Sequence, residues 1–232
     1  MKKLAFIGLT VATVSVLAVL ARPYRAMAGK KTAQDRVAEF GEAVEKRVAA
    51  DFSRVGVAYP PETIALLGFK QERRLEVYAG GHDGRNRWVR SYPILAASGT
   101  LGPKLREGDR QVPEGLYRIS FLNPNSLYHL SLRVNYPNEF DRARAGKDGR
   151  TNLGGDIMIH GRRAPIGCLA MGDEAAEGLF VLAALTGIEN VRVVLSPVDF
   201  RKTRVHALPK LAPQWTSELY VTIQKELMKF TS

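Results

Sequence analysis

A mainly β body with flanking helices, an α+β fold, is what the sequence predicts, and three observations predict it. Apolar residues recur at helical spacing before Tyr59-Pro60-Pro61. Beyond that stop the pattern changes to short apolar runs separated by turn residues, which is how strands read. Helical spacing then returns in one internal stretch and again at the C-terminal end.

The first helix is expected from Thr32 to about Val55. Val37, Phe40, Val44, Val48 and Phe52 lie three and four apart with charges between them, and the two prolines end it. Strands are expected at Ile64–Phe69, Leu75–Ala79, Trp88–Ala97, Gly115–Leu122, Tyr128–Tyr136, Asp156–His160 and Val191–Leu195. Gly80-Gly81-His82-Asp83-Gly84 reads as a turn, and Leu101 to Gly115 as a long loop of the kind that often lines a site. Asp173 to about Leu185 reads as a helix whose first turns collect Asp173, Glu174 and Glu177, as the helix dipole favours. A last helix is expected over Pro213–Phe230, where Trp215, Leu219, Ile223 and Leu227 are four apart.

The N-terminal segment reads as a targeting sequence. Lys2 and Lys3 precede an uncharged run from Leu4 to Ala21, longer than most signal cores and near the lower limit for a membrane span. Small-residue cleavage sites follow Ala21 and Ala28. Residues 1–28 are therefore expected to be a signal peptide or a membrane anchor through 4–21. The other expected divisions are a helix within 29–58, a catalytic body over 59–200 and a helical extension over 201–232. Flanking charge does not set the orientation, because Arg22, Arg25, Lys30 and Lys31 outnumber Lys2 and Lys3.

The formal charge is +11, and +7 of it lies beyond residue 28. Such an excess suits an anionic polymer or surface. There is no block of like charge and no nucleic-acid motif, so nucleic acid is not an expected partner. No Gly-Lys-Ser/Thr phosphate loop is present. A zinc site needs three or four ligands. His82, His129 and His206 are scattered in sequence, and only His160 and Cys168 are close, so neither metal nor cofactor is expected.

Cys168 is the only cysteine in 232 residues and follows His160 by eight positions. Gly161 follows the histidine and Gly167 precedes the cysteine. A thiol beside an imidazole can act as nucleophile and base, and a thiolate–imidazolium pair can be largely ionic. Amides around Gly167 and Cys168 could hold an oxyanion. The plainer reading is a small buried hydrophobe and a strand-end histidine with both nitrogens satisfied.

The ordered run Ser98-Gly99-Thr100-Leu101-Gly102-Pro103-Lys104, Glu107-Gly108-Asp109, Pro113-Glu114-Gly115, Tyr128-His129, Tyr136-Pro137-Asn138, His160-Gly161 and Gly167-Cys168-Leu169-Ala170-Met171 decides between them. Over roughly residues 64–200 it resembles the L,D-transpeptidase (YkuD-type) catalytic domain family, in its YafK-like branch. The resemblance implies a β-sandwich-like catalytic domain, export to the periplasm or cell envelope, and acyl transfer on peptidoglycan stem peptides. It implies Cys168 as nucleophile forming a thioester and His160 as base, with backbone support from Gly167 and Gly161. The acceptor would be an amine, giving a cross-link, or water. Water would make the chain an amidase that could release a wall-linked protein. Tyr128, His129, Lys104, Arg162 and Arg163 are candidates for substrate or supporting contacts, packing being the simpler reading for the first three. Two departures from the family pattern matter. Ala170 stands in place of a polar residue, which is normal for the YafK-like branch. Pro165 stands where the family commonly has a serine, which removes a hydroxyl and an N–H that would brace the turn, unless Arg162, Arg163 or water replaces them. A wall-binding module with weak catalysis is the alternative that Pro165 motivates.

Overall fold

The computed structural model describes residues 29–163, 167–203 and 212–230. The expected leader, Pro165 and His206 lie outside them. The first helix, α1 (Ala33–Arg54), buries Val44, Val48 and Phe52 from its apolar stripe. Strands β1 (Thr63–Phe69), β2 (Arg74–Gly80) and β3 (Asn86–Pro93) follow as an antiparallel meander. The expected strand Trp88–Ala97 is two elements. Its end is β4 (Ala96–Ala97), which pairs at the opposite edge of the sheet.

β5 (Gly115–Ser126) is the hinge of the architecture. Gly115–Arg118 pair with β9 (Val191–Ser196), and the remainder pairs with β6 (His129–Val134). Irregularities between Ile119 and Phe121 and between Asn123 and Ser126 bend the strand, as bulges do. β7 (Met158–His160) adds antiparallel to β6, and β8 (Leu169–Ala170) adds parallel to β7. One mixed sheet results, in the order β3-β2-β1-β9-β5-β6-β7-β8-β4. The sandwich-like layering comes from the two halves of this single sheet.

One core cluster draws Ile64, Leu66 and Val77 from the first half and Leu132, Ile159 and Leu169 from the second. It also takes Val44, Val48 and Phe52 of α1 and Leu179 and Phe180 of α3 (Asp173–Thr186). The opposite face of β1 presents Ala65, Leu67 and Phe69 to Leu219, Ile223 and Leu227 of α4 (Thr216–Leu227). β1 is covered on both faces, which is why it reads as an unbroken apolar run.

The sequence reading did not anticipate α2 (Glu139–Lys147). Its composition is charged and it buries only Ala145, so no apolar stripe announces it. It starts from a capping box. The Asn138 side chain accepts from the Asp141 N–H at 3.0 Å, and Asp141 accepts from the Asn138 N–H at 2.9 Å.

Candidate active site

Register places the site. Ile159 pairs with Leu169 and His160 with Ala170 across parallel β7 and β8, which sets Cys168 beside Met158. Ile159 and Leu169 enter the core, so Met158, His160 and Cys168 share the other face. The Met158 N–H confirms the placement by donating to Cys168 Sγ at 3.4 Å, while the thiol donates weakly to the Asp156 carbonyl at 3.7 Å.

His160 is 2 % exposed. Its Nδ1 lies 2.5 Å from the Gly161 carbonyl oxygen. A carbonyl can only accept, so Nδ1 carries the proton and Nε2 keeps the lone pair that a base needs. The Tyr128 ring lies against the imidazole, with centroids 4.7 Å apart and planes inclined by 35°. Gly161 must be a glycine. A Cβ there would lie 2.5 Å from Asp173 Oδ1 and 2.8 Å from the Tyr128 carbonyl.

Burial lowers His160 below the ordinary histidine value, although the Gly161 hydrogen bond opposes the shift. Burial raises the Cys168 thiol, with the Asp156 charge adding to the rise and the Met158 N–H and Lys104 opposing it. Both shifts favour the uncharged pair. No hydrogen bond joins Sγ to the ring.

The turn before Cys168 is braced by a residue that the sequence reading assigned no role. Gly167, with φ of 74°, donates its N–H to Ser98 Oγ at 2.6 Å. Ser98 follows β4, whose pairing with β8 brings it here. Its hydroxyl supplies a brace of the kind that Pro165 was expected to forfeit. Of the replacements considered, Arg162 and Arg163 have exposed side chains. Only the Arg162 main chain is tied down, its N–H donating to Asp173 Oδ1 at 2.8 Å.

His129 is not brought to the thiol. Its Nε2 meets Glu177 Oε1 at 2.9 Å, and its ring packs edge-on against Phe40. Lys104 is buried and spends its ammonium on Asp109 at 2.5 Å and the Arg106 carbonyl at 2.9 Å, so its effect on Cys168 is electrostatic only. Among the described residues no group of three or more His, Cys, Asp or Glu is placed to hold a metal ion.

The model of the YkuD family, the L,D-transpeptidase catalytic domain, matches residues 66–199, more than half of the chain and both His160 and Cys168. The chain belongs to this family. YafK of Escherichia coli strain K12 is 38 % identical over 140 residues, and the same identity holds for YafK of strain O157:H7. The alignment covers 58 % of this chain and 53 % of YafK, so the chain spans about half the length of these relatives. Among solved structures, the helical cell shape determining protein Pgp2 of Campylobacter jejuni overlaps with a TM-score of 0.47 at 25 % identity, covering 61 % of this chain and 50 % of Pgp2. L,D-transpeptidase 1 of Mycobacterium tuberculosis overlaps with a TM-score of 0.34 at 13 % identity, covering 58 % of this chain and 62 % of its own. Family membership rests on the sequence match. In this YkuD domain the strand end that carries the histidine and the turn that carries the cysteine are fixed by neighbouring strands.

Proposed function

We propose that the chain is a peptidoglycan acyltransferase working through a Cys168 thioester. The tautomer of His160 carries the reading, because the Gly161 carbonyl commits Nδ1–H and leaves Nε2 as the base. Nε2 takes the thiol proton as Sγ attacks a stem-peptide carbonyl. The Cys168 amide would donate to the resulting oxyanion, since the Gly167 N–H is held by Ser98. Collapse breaks the C–N bond, and the imidazolium returns the proton to the departing amine. An acceptor amine, deprotonated by Nε2, then attacks the thioester. The C–S bond breaks and the proton returns to sulfur. Water in place of the amine gives hydrolysis by the same steps, including release of a protein joined to the wall.

Incubation with tetrapeptide-containing and protein-linked muropeptides, read by mass spectrometry, tests the proposal. New cross-links identify an amine acceptor, and released fragments identify water. Cys168→Ala is expected to reduce both to background. Processing by that variant at the parental rate rejects the thioester.

Such a substrate requires export, and the uncharged run 4–21 is the sequence support for it. Among the described residues no helix is long and apolar enough to cross a membrane. In cells with a permeabilised outer layer the domain is expected to be digested by added protease. Protection behind the cytoplasmic membrane overturns the proposed location.

A further inference from the structure

We propose that the cleft beside Cys168 binds a carboxylate of the substrate peptide through Arg133, about 10 Å from the reacting carbonyl. The proposal rests on the acyl-transfer reading and names a feature that its substrate must carry. It begins from register. Phe121 pairs with Arg133 across β5 and β6, Arg133 with Met158 across β6 and β7, and Cys168 lies beside Met158. These four residues form one row across the sheet. The adjacent row of Leu132, Ile159 and Leu169 enters the core, so the row holding Arg133 and Cys168 faces out. Neighbouring strands are about 4.8 Å apart, which puts Arg133 two strand spacings from the nucleophile.

Arg133 is the member of that row that lines a groove. The groove, of about 430 Å³, is lined by Arg133, Arg142, Tyr136, Gly154, Gly155 and Asp156. The groove reaches the thiol through Asp156, a lining residue whose carbonyl accepts from Cys168. A Cβ on Gly155 would meet nothing within 4 Å, so the wall there is open backbone that a peptide can approach. Two guanidinium groups face one carboxylate in this groove, and only further out, toward α2, does Glu139 line the adjoining cleft.

Arg133 is held in place but not used up. Its guanidinium stands 5.7 Å from the centre of the Phe121 ring, and its Nε donates to Ser120 Oγ at 3.3 Å. Its Nη1 reaches Asp156 Oδ1 at 3.4 Å, a long contact between side chains 44 % and 80 % exposed. Exposed pairs of this kind contribute little, and a guanidinium fork keeps further N–H donors for a planar carboxylate. The Asp156 contact shows that this guanidinium can meet a carboxylate on the groove side. At about 3.3 Å per extended residue, the span corresponds to roughly three residues of peptide, or to the end of a branched side chain.

The experiment uses tetrapeptide muropeptides as probes, with their carboxylates free or converted to amides. Binding is measured by calorimetry to the Cys168→Ala protein, which holds substrate without turnover, with and without Arg133→Gln. Free-carboxylate probe is expected to bind about tenfold or more weakly to the Arg133→Gln form. Amidation is expected to weaken binding to the parent and to change nothing in Arg133→Gln, with Arg133→Lys intermediate. Equal affinity of the two forms, an equal cost of amidation in both, or no binding to either overturns the proposal. Cys168-dependent turnover in the wild type is measured separately. If turnover persists while the Arg133 comparison fails, only the carboxylate site is rejected. If turnover is absent, the acyl-transfer reading is rejected.

Discussion

Replacing His160 with Gln is expected to lower kcat/KM on muropeptides by roughly 10²- to 10⁴-fold, the range a positioned general base supplies. It is also expected to erase the acid limb of the pH profile. In the wild type, activity needs the uncharged imidazole, so kcat/KM rises with pH through the His160 pKa. Burial holds that pKa below the ordinary histidine value of 6.5, so the half-maximum should lie below 6.5. The thiol is held above its ordinary value of 9.0, so no second rise is expected near neutrality. A half-maximum above 6.5, or an acid limb unchanged in His160→Gln, would remove His160 from the role of base. Folding must be followed in parallel because two buried groups bear on stability over the same range. A depressed His160 makes the unfolded chain bind more protons below 6.5, so its contribution is lost as pH falls. Asp141, pushed up to about 6 by burial, works the other way. Below about 6 the folded state takes a proton before the unfolded chain does, which favours folding.

Glu114→Ala is expected to be the most destabilising single change outside the apolar core, at about 3–5 kcal/mol, because it strands a buried cation. Glu114 is 1 % exposed. Its Oε1 accepts from Lys70 Nζ at 2.9 Å and the Gly102 N–H at 2.8 Å, and its Oε2 accepts from the Tyr220 hydroxyl at 2.8 Å. Lys70 also donates to the Gly102 and Val112 carbonyls. Burial pulls the Lys70 ammonium below the ordinary lysine value, and the Glu114 charge pulls it back. One carboxylate therefore joins the residue after β1, both ends of the 101–115 loop, and α4. Lys70→Met with Glu114→Leu should recover part of the loss, since no cation is left behind, but the Gly102 N–H and Tyr220 hydroxyl still lack their acceptor. Urea midpoints measure all three proteins. A loss below about 1 kcal/mol in Glu114→Ala would mean that water replaces the carboxylate.

The legible parts of the molecule were those where burial writes a period into the sequence. α1, β1, β2 and α3 each bury a stripe or a whole strand, and their apolar residues announced them. β8 has two residues and α2 buries one side chain, so neither leaves a pattern long enough to read. The spacing of His160 and Cys168 suggested chemistry, but only strand register sets them on one face. Ser98 could not be assigned, because its partner Gly167 is 69 residues away and the pairing depends on β4 crossing to the far edge. The groove at Arg133 was hidden for the same reason. Arg133, Arg142 and Asp156 belong to three segments that meet only in the folded chain.

The bend at β5 divides labour between two margins of stability. β1 is covered on both faces, whereas β4 and β8 pair with each other through only two residues at the rim. Short edge pairings open at lower free-energy cost than central ones. Cys168 thus sits beside this more easily loosened margin of the sheet, and His160 on the strand just inside. In hydrogen exchange, the amides of β4 and β8 are therefore expected to exchange faster than those of the central strands.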